Sequence, residues 1–425
     1  MPSWKKHMIG YIPEILSKDA NLTSCLAVAD SGPGGDIKIP GPESAGKRWK
    51  YGSMNFPMGI QNKEIDMAKN IKVPTGNILI IDGQKGKLEC LSLGDYSRDK
   101  NVKASFLGLE KEIEGVPNGD IMPLSEKWVV TISTQYGCSM GCKFCDVPKV
   151  GHGLNATETD LTSQIMAAIN LHPEITSTKR LNIHYARMGE PTFNRNVLSV
   201  SYKLHWLTYN RLSNSMIHPV VSTMLPNKNK KLMRFLQDWC EIKNYVFRGD
   251  AGLQFSINST DDYQREYLFS GSSLSLSEIS EVGKGLPYPK GRKYALNFAI
   301  SDGNEVDAER LLKLFNPKKF MVKITPIHIT TATIKNGIET TGGYTEYTPY
   351  QKIEIDLKTA GFDVLVFVPS LDEDKGRITC GNAILSGSIP DCKHSVSELC
   401  QGFEIEHGIY SGCKQLKDCP ICEGK

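Results

Sequence analysis

Long hydrophobic runs are missing from this sequence. No window approaches about 18 consecutive apolar residues, the length a helix needs to cross a bilayer, so no membrane span is expected. The opening residues, MPSWKKHMIGYIPEIL, lack the uninterrupted apolar core of a signal peptide, which points to a cytoplasmic protein. One-sided charge is absent as well. The 50 Lys and Arg against 47 Asp and Glu leave a net charge of +3, with no histone-like basic tail. Any nucleic-acid partner would need a local basic face. Internal repeats and low-complexity tracts are also lacking, and 40% hydrophobic with 23% charged residues is the composition of an ordinary globular chain. Cysteine is not scarce, at 12 residues, but without an export signal a disulfide framework is not expected. Metal binding or redox chemistry is the better reading.

A chain of 425 residues is long enough for two or three domains. Residues 1–125 carry a Gly/Pro-rich stretch, SGPGGDIKIPGPESAGKR (31–48), then short strand-like runs, NILIIDG (77–83) and KLECLSL (87–93), set off by turn signals. This segment reads as a small, mostly β accessory domain. From 126 the rhythm changes. Apolar β-branched runs at 127–134, 181–187, 218–223, 253–258, 294–301, 320–327 and 362–370 alternate with helical patterns at 161–171, 197–212, 229–243, 306–315 and 350–360. Repeated β-α units imply a parallel sheet with outer helices, because parallel strands need crossovers. The expectation for 126–385 is an α/β partial (β/α)6 TIM-like barrel with functional residues at the C-terminal strand ends. Residues 386–425 form a Cys-rich tail.

The loop after the first barrel strand, YGCSMGCKFCDVPKVG (136–151), places Cys138, Cys142 and Cys145 at spacings of four and three, with no fourth thiol nearby. Two readings fit the residues. A structural zinc site would borrow a fourth ligand such as His152. A [4Fe–4S] cluster would take three thiolates and leave one iron open to a small chelating ligand. In the tail, Cys419 and Cys422 make a chelating pair that Cys400 and Cys413 would complete as a second metal site, zinc or an auxiliary iron–sulfur cluster. Unligated terminal thiols are the alternative. The run NKNKKLMR (227–234) is a basic cluster at a helix start, suited to phosphates or simply to solvent.

The CxxxCxxC spacing, with Phe144 just before the last cysteine, resembles the radical S-adenosylmethionine (SAM) superfamily. ISTQYGCSMGCKFC (132–145), ARMGEPTFN (186–194), LQFSINSTDDYQRE (253–266), ITPIHIT (324–330) and GRITCGNAIL (376–385) occur in the order of the RlmN/Cfr family of RNA adenine methylases, and each is similar to a family segment. The resemblance covers roughly 120–390 and implies the radical-SAM barrel.

By that resemblance, Cys138, Cys142 and Cys145 hold a [4Fe–4S] cluster whose free iron binds SAM. Gly189 and Glu190 meet the amino end of SAM. Ser222, Ser256 and Asn258 line its ribose and carboxylate side, and His328 stands where the family contacts adenosine. Cys380 is the methyl carrier. The implied partners are an RNA substrate and an electron donor such as flavodoxin or ferredoxin. One departure stands out. The family's second cysteine, seven residues before the first cluster cysteine, closes a disulfide with the carrier, and here that position is Thr131. A hydroxyl cannot form a disulfide, so either another thiol acts or the chemistry is not standard methylation.

Overall fold

The β-branched runs become strands of one sheet. The computed structural model describes residues 67–95, 121–213, 215–343, 348–369, 373–374 and 376–387, all within the unit Glu64–Lys425. In chain order the strands are β1 (Met67–Val73), β2 (Gly76–Gly83), β3 (Gly86–Leu93), β4 (Trp128–Thr131), β5 (Gln135–Gly137), β6 (His152–Asn155), β7 (Leu181–Tyr185), β8 (Ile217–Thr223), β9 (Gly252–Ser256), β10 (Tyr294–Ile300), β11 (Phe320–Pro326) and β12 (Val364–Val366). Ten of them form one sheet in the order β1-β2-β3-β4-β7-β8-β9-β10-β11-β12, and β5 pairs β6 separately. Pairing is parallel from β4 through β12 and antiparallel from β1 to β4.

The helices between parallel strands are α1 (Glu158–Asn170), α2 (Asn196–Tyr209), α3 (Leu232–Glu241), α4 (Asp262–Leu268), α5 (Leu276–Gly285), α6 (Ala308–Leu314), α7 (Thr331–Asn336) and α8 (Thr348–Thr359). Three of the shorter ones, α4, α5 and α7, had no counterpart in the sequence reading. Two of these carry capping boxes, Ser275 with Glu278 and Thr330 with Thr333, which satisfy otherwise unpaired N-terminal amides.

Register shows that the two faces of the parallel sheet differ. Val130, Ile183, Val221, Phe255, Leu296 and Val322 share one face and are fully buried in the main core. On the other face Thr131 pairs with His184, Ser222 with Gln254, Ser256 with Asn297, and Asn297 with Lys323. A parallel sheet packed on both sides would be apolar on both. The polar, mostly half-buried residues on the second face show that no continuous apolar layer covers it.

Across β1–β4 the same face turns apolar again. Ile71, Ile78, Ile80 and Leu91 pack there with Ile378 and Ile384, forming a second small core with Val129 at its edge. Strands β1–β3 fall in the segment expected to be an accessory domain, yet they extend the barrel sheet itself. Their apolar faces explain why: one side seats α1, through Ser92 and Cys90 on the carbonyls of Ala168 and Gln164, and the other seats residues 378–385.

Candidate active site

The cysteine loop leaves the sheet through the β5–β6 hairpin, whose neck only glycine permits. Gly137 has φ 76°, and a Cβ there would lie 2.2 Å from the Gly151 carbonyl oxygen. The loop closes with the Cys138 amide donating to that same oxygen at 3.0 Å. Beyond the neck, Met140, Cys142 and Phe269 form a small apolar cluster, bordered by Cys138, Phe144, Cys145, Phe193 and Met224. Phe144 meets Phe269 edge-on at 5.8 Å between centroids, and the Met224 sulfur lies 3.1 Å from Cys142 Sγ.

Burial pushes the Cys138 thiol up to about 11 and those of Cys142 and Cys145 well above the ordinary value, with the neighbouring thiols adding to the effect. Three thiolates crowded into an apolar site would need compensating positive charge, which the irons of a cluster would supply. The Met140 amide points at Cys138 Sγ from 3.4 Å. Among the described residues no three His, Cys, Asp or Glu side chains form a group able to hold one metal ion. The thiolates of a cluster each bind a different iron, and sulfur donors in an apolar shell fit that group. His152, the fourth ligand of the zinc alternative, is exposed on β6.

Gln135 links this hairpin to the next strand end. Its Nε2 donates to the Gly153 carbonyl and to Asn155 Oδ1, both at 2.8 Å, while its Oε1 accepts from the Glu190 amide at 2.9 Å. Gly189 has φ 94°, and a Cβ there would meet the Gln135 side chain at 2.5 Å. Glu190 is buried rather than an exposed turn carboxylate. Its Oε1 accepts from the Thr192 amide (3.1 Å) and from the hydroxyls of Thr192 (2.6 Å) and Thr223 (2.7 Å). Its Oε2 accepts from the Met224 amide at 3.0 Å and keeps lone-pair capacity for a cationic ligand. Burial raises its pKa against these hydrogen bonds, so a cation beside it would be favoured.

Ser222 and Ser256, both half-buried, lie on the polar face. Asn297 on that face has a buried Oδ1 without a hydrogen-bond partner among the described residues, as a cavity wall awaiting a polar ligand would. Asn258 instead braces the framework. At φ 61°, its side-chain oxygen accepts from the Ala299 amide at 3.2 Å and its carbonyl from Asn304 at 2.9 Å.

The Cys380 segment lies against the cysteine loop. The Asp146 amide donates to the Gly381 carbonyl at 2.8 Å, and Thr330 Oγ1 donates to the Phe144 carbonyl at 3.0 Å. Asp146 also accepts from the amides of Thr331 and Ala332 at the start of α7, at 2.8 and 2.9 Å. His328 faces this segment through Asp374, 3.1 Å away, and Asp374 in turn accepts from Thr379 Oγ1 at 2.5 Å. Cys380 keeps solvent-accessible surface, yet enough protein surrounds it to desolvate a thiolate, the situation of a residue lining a concavity. That desolvation raises its pKa, while Lys323 and Arg187 pull the other way.

Sequence reasoning missed the buried pair that anchors the segment. Arg187 donates through Nε to Glu89 Oε1 at 2.8 Å and pairs with it again through Nη2. The same guanidinium reaches the carbonyls of Arg377 (2.8 Å) and Thr379 (3.4 Å), and the other Glu89 oxygen accepts from the Leu385 amide at 3.1 Å. An arginine where the chain reads ARMGEP was the available signal.

Thr131 ends β4 on the polar face. No described cysteine is placed to replace the family's second thiol: Cys90 is buried on β3 beside α1, and Cys240 is buried against the Tyr294 hydroxyl at 3.1 Å. Cys400, Cys413, Cys419 and Cys422, read as a second metal site, lie outside the described residues.

No family model matches the chain. It is 29% identical over 278 residues to the dual-specificity RNA methyltransferase RlmN of Aliarcobacter butzleri, covering 63% of this chain and 71% of that protein. The RlmN of Desulfosudis oleivorans is 25% identical over 274 residues, 63% of this chain and 68% of the relative. For the RlmN of Campylobacter lari the figures are 25% over 229 residues, 53% and 60%. The chain resembles the RlmN methyltransferases. A crystal structure of a radical SAM methyltransferase from Sphaerobacter thermophilus shares the fold at a TM-score of 0.51 and 18% identity, over 75% of this chain and 80% of that one. The RlmN likeness includes the enzyme class; for some of these relatives, the Campylobacter lari protein among them, it spans less than two thirds of their length.

Proposed function

We propose that this protein is a radical SAM enzyme that methylates an RNA adenine through Cys380. The observation that carries the reading is the seating of the Cys380 segment on the cysteine loop by the Asp146–Gly381 hydrogen bond. Cys138, Cys142 and Cys145 would hold a [4Fe–4S] cluster, which when bound would supply the electron that splits SAM into methionine and a 5′-deoxyadenosyl radical. Glu190 and Gly189 take the amino end of SAM, and Ser222 and Ser256 line the polar wall beside it. Cys380 would take a methyl group on sulfur from one SAM, releasing S-adenosylhomocysteine and the thiol proton, and would present that methyl to the radical from a second SAM and to the adenine ring. The RlmN names of the relatives support RNA as the substrate class.

Incubating the reduced, reconstituted protein with RNA and methyl-labelled SAM tests this. Label is expected on Cys380 and on adenine. Cys380→Ala should abolish both while leaving 5′-deoxyadenosine formation, and Cys142→Ala should abolish all three. Absence of label from Cys380 and from every RNA tried would overturn the reading.

Thr131 favours a second reading, in which the same radical modifies another nucleotide, nucleic acid or small molecule without standard methyl transfer. It predicts 5′-deoxyadenosine without labelled adenine. The variant Thr131→Cys separates the two. If methylation is the native task, it should speed release of methylated RNA without changing the first methyl transfer to Cys380.

A further inference from the structure

Four residues beyond Met224, the chain enters the basic run set aside as undecided in the sequence. Lys228, Lys230 and Lys231 are exposed and have no ion-pair partner among the described residues. They sit immediately before α3, whose first turn holds no acidic residue. Lysines at the positive end of a helix dipole are unfavourable in isolation, and an anion held there removes the conflict. A strand of four residues reaches roughly 14 Å at most, so the first of these lysines lies within that span of Met224, whose sulfur touches Cys142.

Hydrogen bonds continue this surface along the rim of the site. The Asn227 amide donates to the Ser272 carbonyl at 3.0 Å and its side chain to Gly271 at 2.8 Å. Ser273 Oγ returns to the Met224 carbonyl at 2.6 Å, Ser270 bonds the Gly141 carbonyl, and the Lys143 amide donates to Leu268 at 2.9 Å. Helix α4 therefore ends beside the cysteine loop. It presents Tyr263 and Tyr267, which share a helix face at i and i+4 and are 84% and 51% exposed. These exposed aromatics, on the helix that leads into Gly271 and Ser272, and the lysines that follow Asn227, which bonds both of those residues, match the two parts of a single-stranded nucleic acid, π-faced bases and a charged backbone.

We infer that the rim formed by Lys228, Lys230, Lys231, Tyr263 and Tyr267 docks single-stranded RNA, the lysines on phosphates and the tyrosines under unstacked bases next to the target adenine. This rests on the methylation reading above and specifies where its substrate lies. An acidic protein would satisfy the lysines but has no planar bases for the tyrosines.

The test uses the full reconstituted chain and fluorescence anisotropy with a short fluorescein-labelled, adenine-rich single-stranded RNA. Replacing the three lysines by alanine should flatten the dependence of log K on log salt by about 2, since each phosphate contact on a single strand contributes about 0.7. Each of Tyr263→Ala and Tyr267→Ala should weaken binding roughly fivefold or more with an unchanged slope. Wild-type affinity and slope in all variants would overturn the inference. So would lysine effects without tyrosine effects, or equally tight binding of a polyglutamate probe, which would assign the surface to polyanions in general or to an acidic protein. Formation of 5′-deoxyadenosine and RNA labelling by the wild-type protein are measured in parallel. Their absence refutes the methylation reading, whereas their presence with unaltered binding in the variants refutes the rim alone.

Discussion

Arg187 shows how much of the site depends on one side chain with no role in the chemistry. Its guanidinium is 2% exposed and is divided between Glu89 and two carbonyls of the Cys380 segment. Removing one member of a buried pair leaves the other charge uncompensated, at a cost of about 3–5 kcal/mol. Arg187→Ala should therefore lower the stability seen in urea denaturation by that order. Arg187→Lys keeps the charge but not the planar fork. It should unfold closer to wild type, yet lose methyl transfer from Cys380 well beyond its loss of 5′-deoxyadenosine formation. Equal losses of both activities would assign Arg187 a general structural role. Cys138, Cys142 and Cys145 stand out in the sequence because their spacing is local, whereas Glu190 and Cys380 are singled out only by resemblance to family segments. Gln135, Asp146, Glu89 and Arg187 do not stand out, because each gains its importance from a partner distant in the chain, and a polar residue carries no periodic signal of burial.

Elements were legible in proportion to their hydrophobic patterning. The parallel strands stood out as apolar β-branched runs, and α1, α2 and α3 as amphipathic repeats. Helices α4, α5 and α7 are short and rich in Ser, Thr or Asp, so their caps outweigh their apolar content. The end of α3 was harder still. It runs into a π-helical turn, Ile242–Val246, that buries Lys243, whose Nζ donates to the carbonyls of Gly249 at 2.9 Å and Lys290 at 2.6 Å. Burial lowers the Lys243 pKa to about 8. The unfolded chain, with a lysine pKa of about 10.4, binds more protons between these values, so stability rises with pH across that interval. Urea midpoints at the two ends of the interval should show a gain of at most about 3 kcal/mol that Lys243→Met removes. An unchanged slope in the variant would show that other groups set it.

For the whole molecule, the decisive difference from the sequence reading lies at the junction with the N-terminal segment. A composition shift near 126 marks where the parallel repeats begin, but it says nothing about which strands share a sheet. Through β3, which pairs with β4 and carries Glu89, residues 67–93 supply both a floor and an ionic anchor for the Cys380 segment. A chain beginning at 126 would expose the apolar faces of α1 and β4 and unseat Ile378 and Ile384. Burying an isoleucine contributes about 1.5–3 kcal/mol, so these two alone rival much of a domain's net stability. Such a chain should show no cooperative thermal transition by circular dichroism. A sharp transition near that of the full chain would mean that the strands are dispensable.

The Glu89–Leu385 contact joins residues 296 positions apart. A ribosome adding about 5–20 residues per second needs roughly 15 to 60 s to traverse that distance. During synthesis, then, the cysteine loop is complete long before the Cys380 segment exists. Glu89 and Arg187 can pair in the meantime and keep the berth ready. The segment that carries Cys380 is thus laid onto a sheet whose other strands have already been made.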